Sequence, residues 1–337
     1  PVSEIYTQIS EFCDETLSLF ETELQNSDSK GLFQKRKEEF ENKRKKLSCN
    51  DINLCLVGTY SSGKSTFINT LIGKRILPES INSETAKMFR IQNDENPGIV
   101  FAIKKKGNDN TITATINWDA ATGRYTFSST GECEKIRKVI QNEINSAVVF
   151  HMQQHEQLYQ ILKSLNNVPN EPTDDFVEYV DGVIEVHFPI PLDPNISFTF
   201  YDTPGTDSNS NEHLLVLRKA LQQQTNSILI ILYEPTKMEG TGNSVLYKLI
   251  NSSRNNSGTN GDVHIDLSRS LHIINQADTR SLADLSNLRN KKVEVSLKET
   301  DKIYNEENEC IDLANERLFF VSAKAAYISK AIKNNVD

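Results

Sequence analysis

The sequence predicts an α/β fold in which a mostly parallel sheet is flanked by helices. Three observations carry this reading. From Asp51 onward, short β-prone runs alternate with stretches of helical periodicity. A buried strand at residues 54–57 runs into the loop GTYSSGKS and then into an amphipathic helix opening at Ser65. A second strand, residues 196–201, ends in Asp202-Thr203-Pro204-Gly205. Both motifs fall at the carboxyl ends of strands, which is where open α/β sheets bind ligands.

Upstream of this domain, Ile5, Ile9, Phe12, Leu17, Phe20 and Leu24 recur at near-helical spacing and predict an amphipathic helix over residues 3–25. A second helix follows Gly31, with Leu32, Phe33 and Phe40 apolar and Lys35, Arg36, Lys37, Lys43, Arg44, Lys45 and Lys46 basic. Such a run suits an anionic membrane surface, but Glu38, Glu39 and Glu41 supply i,i+4 partners, which favours a solvated face. Residues 1–48 are thus expected to form an N-terminal helical segment, part of a bundle or neck, ahead of a large domain over residues 49–333. Two helices cannot bury their apolar faces on each other alone. The start at Pro1 and the end at Asp337, soon after the last motif, suggest a piece of a longer protein.

The loop after the first strand matches GxxxxGK[ST] through Gly58, Gly63, Lys64 and Ser65. Strand and helix stand on the correct sides for a P-loop, which must gather backbone N–H groups and a helix N-terminus around a phosphate chain. Gly58 and Gly63 permit the tight backbone, Lys64 is placed for the β- and γ-phosphates, and the Ser65 hydroxyl for Mg²⁺. Tyr60, Ser61, Ser62 and Thr66 complete the loop around the phosphates. Gly73 to Pro78 ends the helix, and residues 79–87 are polar without a period. Residues 88–92 and 99–104 read as strands around a turn at Asn96-Pro97-Gly98. Residues 111–116 and 125–127 suggest a hairpin, and residues 132–165 one long helix or two. With a strand over residues 183–188 following, about residues 107–180 read as an α/β insertion.

Beyond Asp202, helices are predicted at residues 213–224, 244–250, 282–305 and 325–333, and strands at 228–233, 271–275 and 318–322. Residues 252–261 read as a polar loop. Two further motifs end strands here. In Asn275-Gln276-Ala277-Asp278, the Asp278 carboxylate can accept from guanine N1–H and the exocyclic amine, groups adenine does not offer in that arrangement. An unpaired buried acceptor makes this discrimination worth on the order of 2–3 kcal/mol or more. In Ser322-Ala323-Lys324, a backbone N–H can read the guanine O6. Asp202 is placed to hold the Mg²⁺ shell and Gly205 to bring an N–H to the γ-phosphate. The order and placement of the four motifs predict a P-loop GTPase domain.

GTYSSGKSTFINTLIG, the segment Ser83-Glu84-Thr85-Ala86, YVDGVIEVHFPIPL leading into FYDTPG, NQAD and SAK together resemble the GTPase domain of the dynamin superfamily, bacterial dynamin-like proteins above all. The resemblance spans roughly residues 50–330 and is weakest in the insertion. It implies that Thr85 is the switch-one threonine that completes Mg²⁺ coordination and positions the attacking water. It also implies that Ser61 helps hold a monovalent cation, K⁺ or Na⁺, near the β–γ bridge. GTPase domains pairing face to face as a homodimer, with residues 235–244 involved, and coupling to membrane-binding helical bundles are further implications. Three positions depart from the pattern. Gln276 replaces the usual Lys, Thr206 stands where Ras-like GTPases place a water-positioning Gln, and Tyr60 stands where dynamins often have Gln.

Composition sets bounds on this reading. The net charge of −9 disfavours a nucleic-acid binder relying on phosphate neutralisation. Five scattered cysteines, never in a CxxC pair, fit a reducing cytoplasm without structural zinc. No apolar run approaches a membrane span, so any membrane contact is expected to be peripheral and through parts outside this chain. His151 and His155, i,i+4 on a predicted helix, lack a third ligand and read as surface residues. Trp118 reads as hairpin packing. The sequence leaves open a ribosome- or RNA-associated GTPase switch, a dynamin-related ATPase, which Asp278 opposes, and a scaffold that no longer hydrolyses, which intact Lys64, Ser65, Thr85 and Asp202 oppose.

Overall fold

A computed structural model describes residues 15–19, 34, 37, 41, 51–79, 87–174, 176–191, 197–205, 227–235, 270–291 and 318–334. The chain divides into two compact units, Pro1–Asp51 and Ile52–Asp337. In the first, residues 15–19 are helical, and Lys37 and Glu41 form an i,i+4 ion pair at 3.7 Å. The rest of the two predicted N-terminal helices lies outside the described residues.

Among its described residues the second unit has ten strands: β1 (Asp51–Gly58), β2 (Met88–Asn93), β3 (Gly98–Lys105), β4 (Asn108–Asp119), β5 (Arg124–Ser129), β6 (Glu178–Phe188), β7 (Ser197–Asp202), β8 (Ser227–Tyr233), β9 (Leu271–Ile274) and β10 (Leu318–Phe320). They form one sheet in the order β10-β9-β8-β1-β7-β2-β6-β3-β4-β5. The described helices are α1 (Lys64–Ile72), α2 (Glu134–Val149), α3 (Gln154–Asn166), α4 (Leu282–Lys291) and α5 (Ala323–Asn334). The predicted helices at 213–224 and 244–250, the loop at 252–261 and residues 292–305 lie outside the described residues.

The sheet has two characters. From β10 through β9 and β8 to β1 every pairing is parallel, and the strands are near-continuous apolar runs such as SILIILY, as burial on both faces requires. Beyond β7 the pairings β7–β2, β6–β3, β3–β4 and β4–β5 are antiparallel, with β2–β6 the one parallel exception. The mostly parallel expectation thus describes the half that carries the motifs. The predicted hairpin of the insertion is β4–β5, where Trp118 meets Tyr125 edge-on at 5.1 Å.

Two local expectations differ from the structure. The turn at 96–98 suits a β2–β3 hairpin, yet β6 lies between these strands. A connection over residues 94–97 spans two strand spacings, about 10 Å, without strain, and the buried alternation of Val180, Ile184, Val186 and Phe188 seats β6 there. The helical stretch of the insertion is two helices. α2 buries Ile136, Ile140 and Ile144, and α3 buries Leu158, Ile161, Leu162 and Leu165. The break falls where His151 takes φ 50°, and Glu156 Oε2 accepts the Gln153 N–H at 2.7 Å to start α3. His151 and His155 therefore do not share a helix. One apolar cluster runs from Leu56, Ile68 and Ile72 through the sheet to the insertion helices. Among the described residues, no helix is long and apolar enough to cross a membrane.

Candidate nucleotide site

The loop between β1 and α1 is held so tightly that two of its residues must be glycine. A Cβ on Gly58 would stand 2.3 Å from the Leu232 carbonyl oxygen, because β1 and β8 pair in register there. Gly63 takes φ 88°, and its Cβ would stand 2.2 Å from Asn275 Nδ2. The loop closes through a Ser62 N–H bond to the Thr59 carbonyl at 3.2 Å. Ser61 adopts a left-handed φ of 62°. The amides of Gly63, Ser65 and Thr66 have no protein acceptor among the described residues, as expected for the first turn of a helix that receives an anion. Lys64 is buried, and its Nζ donates to the carbonyls of Gly58 at 3.2 Å and Thr59 at 3.0 Å. Its charge is thereby held over the loop.

The end of β7 delivers Asp202 to the same place. Thr203 Oγ1 donates to the Leu56 carbonyl at 2.6 Å and fixes the strand end against β1. Asp202 is 4% exposed, and Ser65 Oγ donates to its Oδ2 at 2.6 Å. Among the described residues its buried Oδ1 has no hydrogen-bond partner. Burial pushes its carboxyl above the ordinary range, outweighing the opposing pull of the Lys64 charge and the Ser65 bond. Ser65, Asp202, Pro204 and Gly205 line a cavity of about 190 Å³, together with Tyr60, Lys87 and Asn166.

On the other side of the loop, Asn275 ties three elements together. Its Nδ2 donates to the Ser62 carbonyl at 2.9 Å, and its Oδ1 accepts the Ala323 N–H at 3.0 Å. Thr70 Oγ1, from α1, donates to the Ala323 carbonyl at 2.9 Å. Gln276 takes a left-handed φ of 58°, and its Nε2 donates to the Ser61 carbonyl at 3.3 Å. Asp278 is exposed in the short 3-10 turn Ala277–Thr279. Ala323 gives its N–H to Asn275, whereas the Ser322 and Lys324 N–H groups on either side have no protein acceptor among the described residues. Gln276, Asp278, Ser322 and Lys324 line a second cavity of about 880 Å³ with Gly63, and Arg75 and Tyr327 contribute walls that the motifs do not reveal.

The structure thus brings together the predicted residues of the P-loop, Asp202, Gly205, Asn275, Gln276, Asp278 and the Ser322–Lys324 turn. Thr85 and Thr206 lie outside the described residues, as do residues 236–244. Lys87 and Asn166 join the cavity wall without any motif to announce them. Among the described residues, no group of three or more His, Cys, Asp or Glu could hold a metal.

A sequence model of the dynamin family matches residues 54–259, more than half of the chain. No curated protein sequence matches it. Two solved chains from an oligomerised bacterial dynamin pair, described as a mechanism for long-range sensing and tethering of membranes, are 18% and 19% identical with TM-scores of 0.48 and 0.46. These alignments cover 96% and 98% of this chain but 40% and 41% of theirs. The chain therefore spans about two fifths of the length of those bacterial chains. Toc33 from Arabidopsis thaliana, solved with GDP and Mg²⁺, is 10% identical with a TM-score of 0.41, over 86% of this chain and 78% of that one. By the match to its sequence model, the chain belongs to the dynamin family.

Proposed function

We propose that this chain is the GTP-binding and GTP-hydrolysing domain of a dynamin-like protein that couples nucleotide-dependent pairing of such domains to membrane binding or remodelling. The observation that carries the reading is the Ser65 Oγ–Asp202 Oδ2 bond of 2.6 Å beside a loop whose Gly63, Ser65 and Thr66 amides have no protein acceptor among the described residues. A hydroxyl and a buried carboxylate with one unpartnered oxygen form an oxygen donor set that fits Mg²⁺, which prefers few carboxylates and keeps waters or phosphate oxygens as further ligands. Ser65 and Asp202 would hold the ion, with Thr85 as a further ligand by family resemblance. When bound, Mg²⁺ neutralises charge on the β- and γ-phosphate oxygens.

The residues of the chain supply the rest. The P-loop amides and Lys64 bind the phosphate chain and offset its charge, Lys64 by leaving the carbonyls it now bonds. Asp278 and the Lys324 N–H face the base cavity, and together they select guanine by accepting from its N1–H and amine and donating to its O6. Gly205 would offer an N–H to the γ-phosphate, and by family resemblance Thr85 would orient the water and Ser61 would help hold a monovalent cation that offsets phosphate charge. Asn275 keeps base and phosphate subsites in fixed relation. Pairing across the nucleotide, and membrane contact through parts beyond this chain, belong to the same proposal, and family membership supports them.

Equilibrium titration with GDP, GTP and ATP, combined with phosphate release, tests this. Lys64→Ala should abolish binding and turnover, and Thr85→Ala should spare GDP binding while removing hydrolysis. GTP affinity unchanged in Lys64→Ala would overturn the assignment.

A further inference from the structure

Lys87 sits where the chain enters β2, and it is buried at 4% exposure. Its backbone N–H donates to Asn166 Oδ1 at 3.0 Å, and Asn166 is the last residue of α3. Its Nζ donates to the Pro169 carbonyl at 3.1 Å, to Asn170 Oδ1, and to the Val180 carbonyl in β6 at 3.5 Å. Every one of these acceptors belongs to the insertion or to the strand that closes it. An ammonium carries three donors, so one side chain reaching three oxygens, two from the turn Pro169-Asn170 and one from β6, is fixed in position as well as accommodated. The acceptors are themselves held, since the Val180 N–H bonds the Pro169 carbonyl at 3.3 Å.

This cluster stands in the wall of the phosphate-side cavity. Lys87 and Asn166 line it together with Ser65 and Asp202, and in the sequence Lys87 follows Thr85 by two residues. We propose that Lys87 is a positioning residue for hydrolysis, latching the chain immediately after Thr85 to the end of α3. The inference rests on the GTPase reading above and extends it. The insertion is then a working part of the nucleotide site: it fixes Lys87, the point at which the chain enters β2. Misplacement of a catalytic group by about 1 Å can cost on the order of a hundredfold in rate, whereas GDP, which makes no use of the attacking-water geometry, should be indifferent to the latch.

The test uses the whole chain with Lys87→Met, Asn170→Ala and Asn170→Asp, reading single-turnover GTP hydrolysis, KM, GDP affinity, Tm and hydrogen exchange at the Lys87 amide. Lys87→Met should lower kcat by about tenfold or more with KM and GDP affinity within about twofold. Asn170→Ala should fall between it and the wild type, and Asn170→Asp, which keeps an oxygen acceptor, should retain wild-type kcat. A folded Lys87→Met protein with lowered Tm but wild-type kcat would make the residue merely structural and overturn the proposal. Should Lys87→Met fail to fold, Asn170→Ala decides by the same criterion. Wild-type protein that binds GTP without hydrolysing it would overturn the function proposed above. The latch then stands or falls on exchange at the Lys87 amide, which should quicken in Asn170→Ala and whose constancy would refute it.

Discussion

Asn275 Nδ2 donates to the Ser62 carbonyl at 2.9 Å across 213 residues of sequence. The same carboxamide receives the Ala323 N–H, so one side chain joins the β1–α1 loop to the Ser322–Lys324 turn. Asn275→Ala would leave the Ser62 carbonyl and the Ala323 N–H without partners in a buried setting, at a cost of about 2–4 kcal/mol for the two groups. The variant is expected to melt earlier and to bind GDP at least about tenfold more weakly, measured by thermal unfolding and fluorescent-nucleotide titration. Asn275→Asp, which sets a carboxylate oxygen against the Ser62 carbonyl, should be worse.

Asp202 is burdened by its burial, with its carboxyl held above the ordinary range. Asp202→Asn keeps the shape and removes the charge, so Tm without nucleotide should not fall. Magnesium-dependent GTP affinity should drop by about tenfold or more, since a neutral amide is a poor ligand for a hard cation. Calorimetric titration with and without Mg²⁺ separates the two effects.

Cys55 lies fully buried in β1, and burial, reinforced by the Asp202 charge, pushes its thiol from 9.0 to about 12. At pH 8.5 its thiolate population is about a thousandfold below that of an ordinary thiol, so iodoacetamide should spare Cys55 in the folded chain and label it on unfolding, as read by peptide mass. The linkage has a definite sign. Because the folded protein holds this proton more tightly, the contribution to stability is complete below pH 9.0 and is lost as the pH rises toward about 12.

Gln276 donates a neutral hydrogen bond to the Ser61 carbonyl where the family usually has Lys. Gln276→Lys keeps the same Cβ at the left-handed backbone and replaces a neutral donor by a charged one. The difference is worth about 1 kcal/mol, so guanine nucleotides should bind about fivefold more tightly. Equal affinities in the two proteins would mean that the neutral side chain already suits the site.

The motif-bearing half of the fold was legible because its signals are local. Apolar runs such as SILIILY announce buried parallel strands, and a loop needing Gly58 and Gly63 shows its steric demands in the residues themselves. Asn275 and Asp278 could be placed because they follow a strand end. The seating of β6 between β2 and β3 was not legible, since the short turn at 96–98 favours a hairpin and only tertiary pairing overrides it. The break at His151 was ambiguous because both insertion helices continue nearly the same apolar period. Lys87 and Asn166 gave no signal at all: a lysine after a polar stretch and an asparagine ending a helix acquire meaning only when β2 and α3 converge. The Ser322–Lys324 motif was readable, but that its Ala323 amide is taken by Asn275 was not.

The central claim is tested most directly by phosphate release from GTP per molecule of the whole chain, measured against protein concentration with Mg²⁺ and K⁺ or Na⁺, and with ATP as the control. The account predicts hydrolysis of GTP and not of ATP, with a specific rate that rises as the concentration brings domains together. Hydrolysis of ATP in preference to GTP, or no hydrolysis of GTP at any concentration despite tight binding, would contradict it.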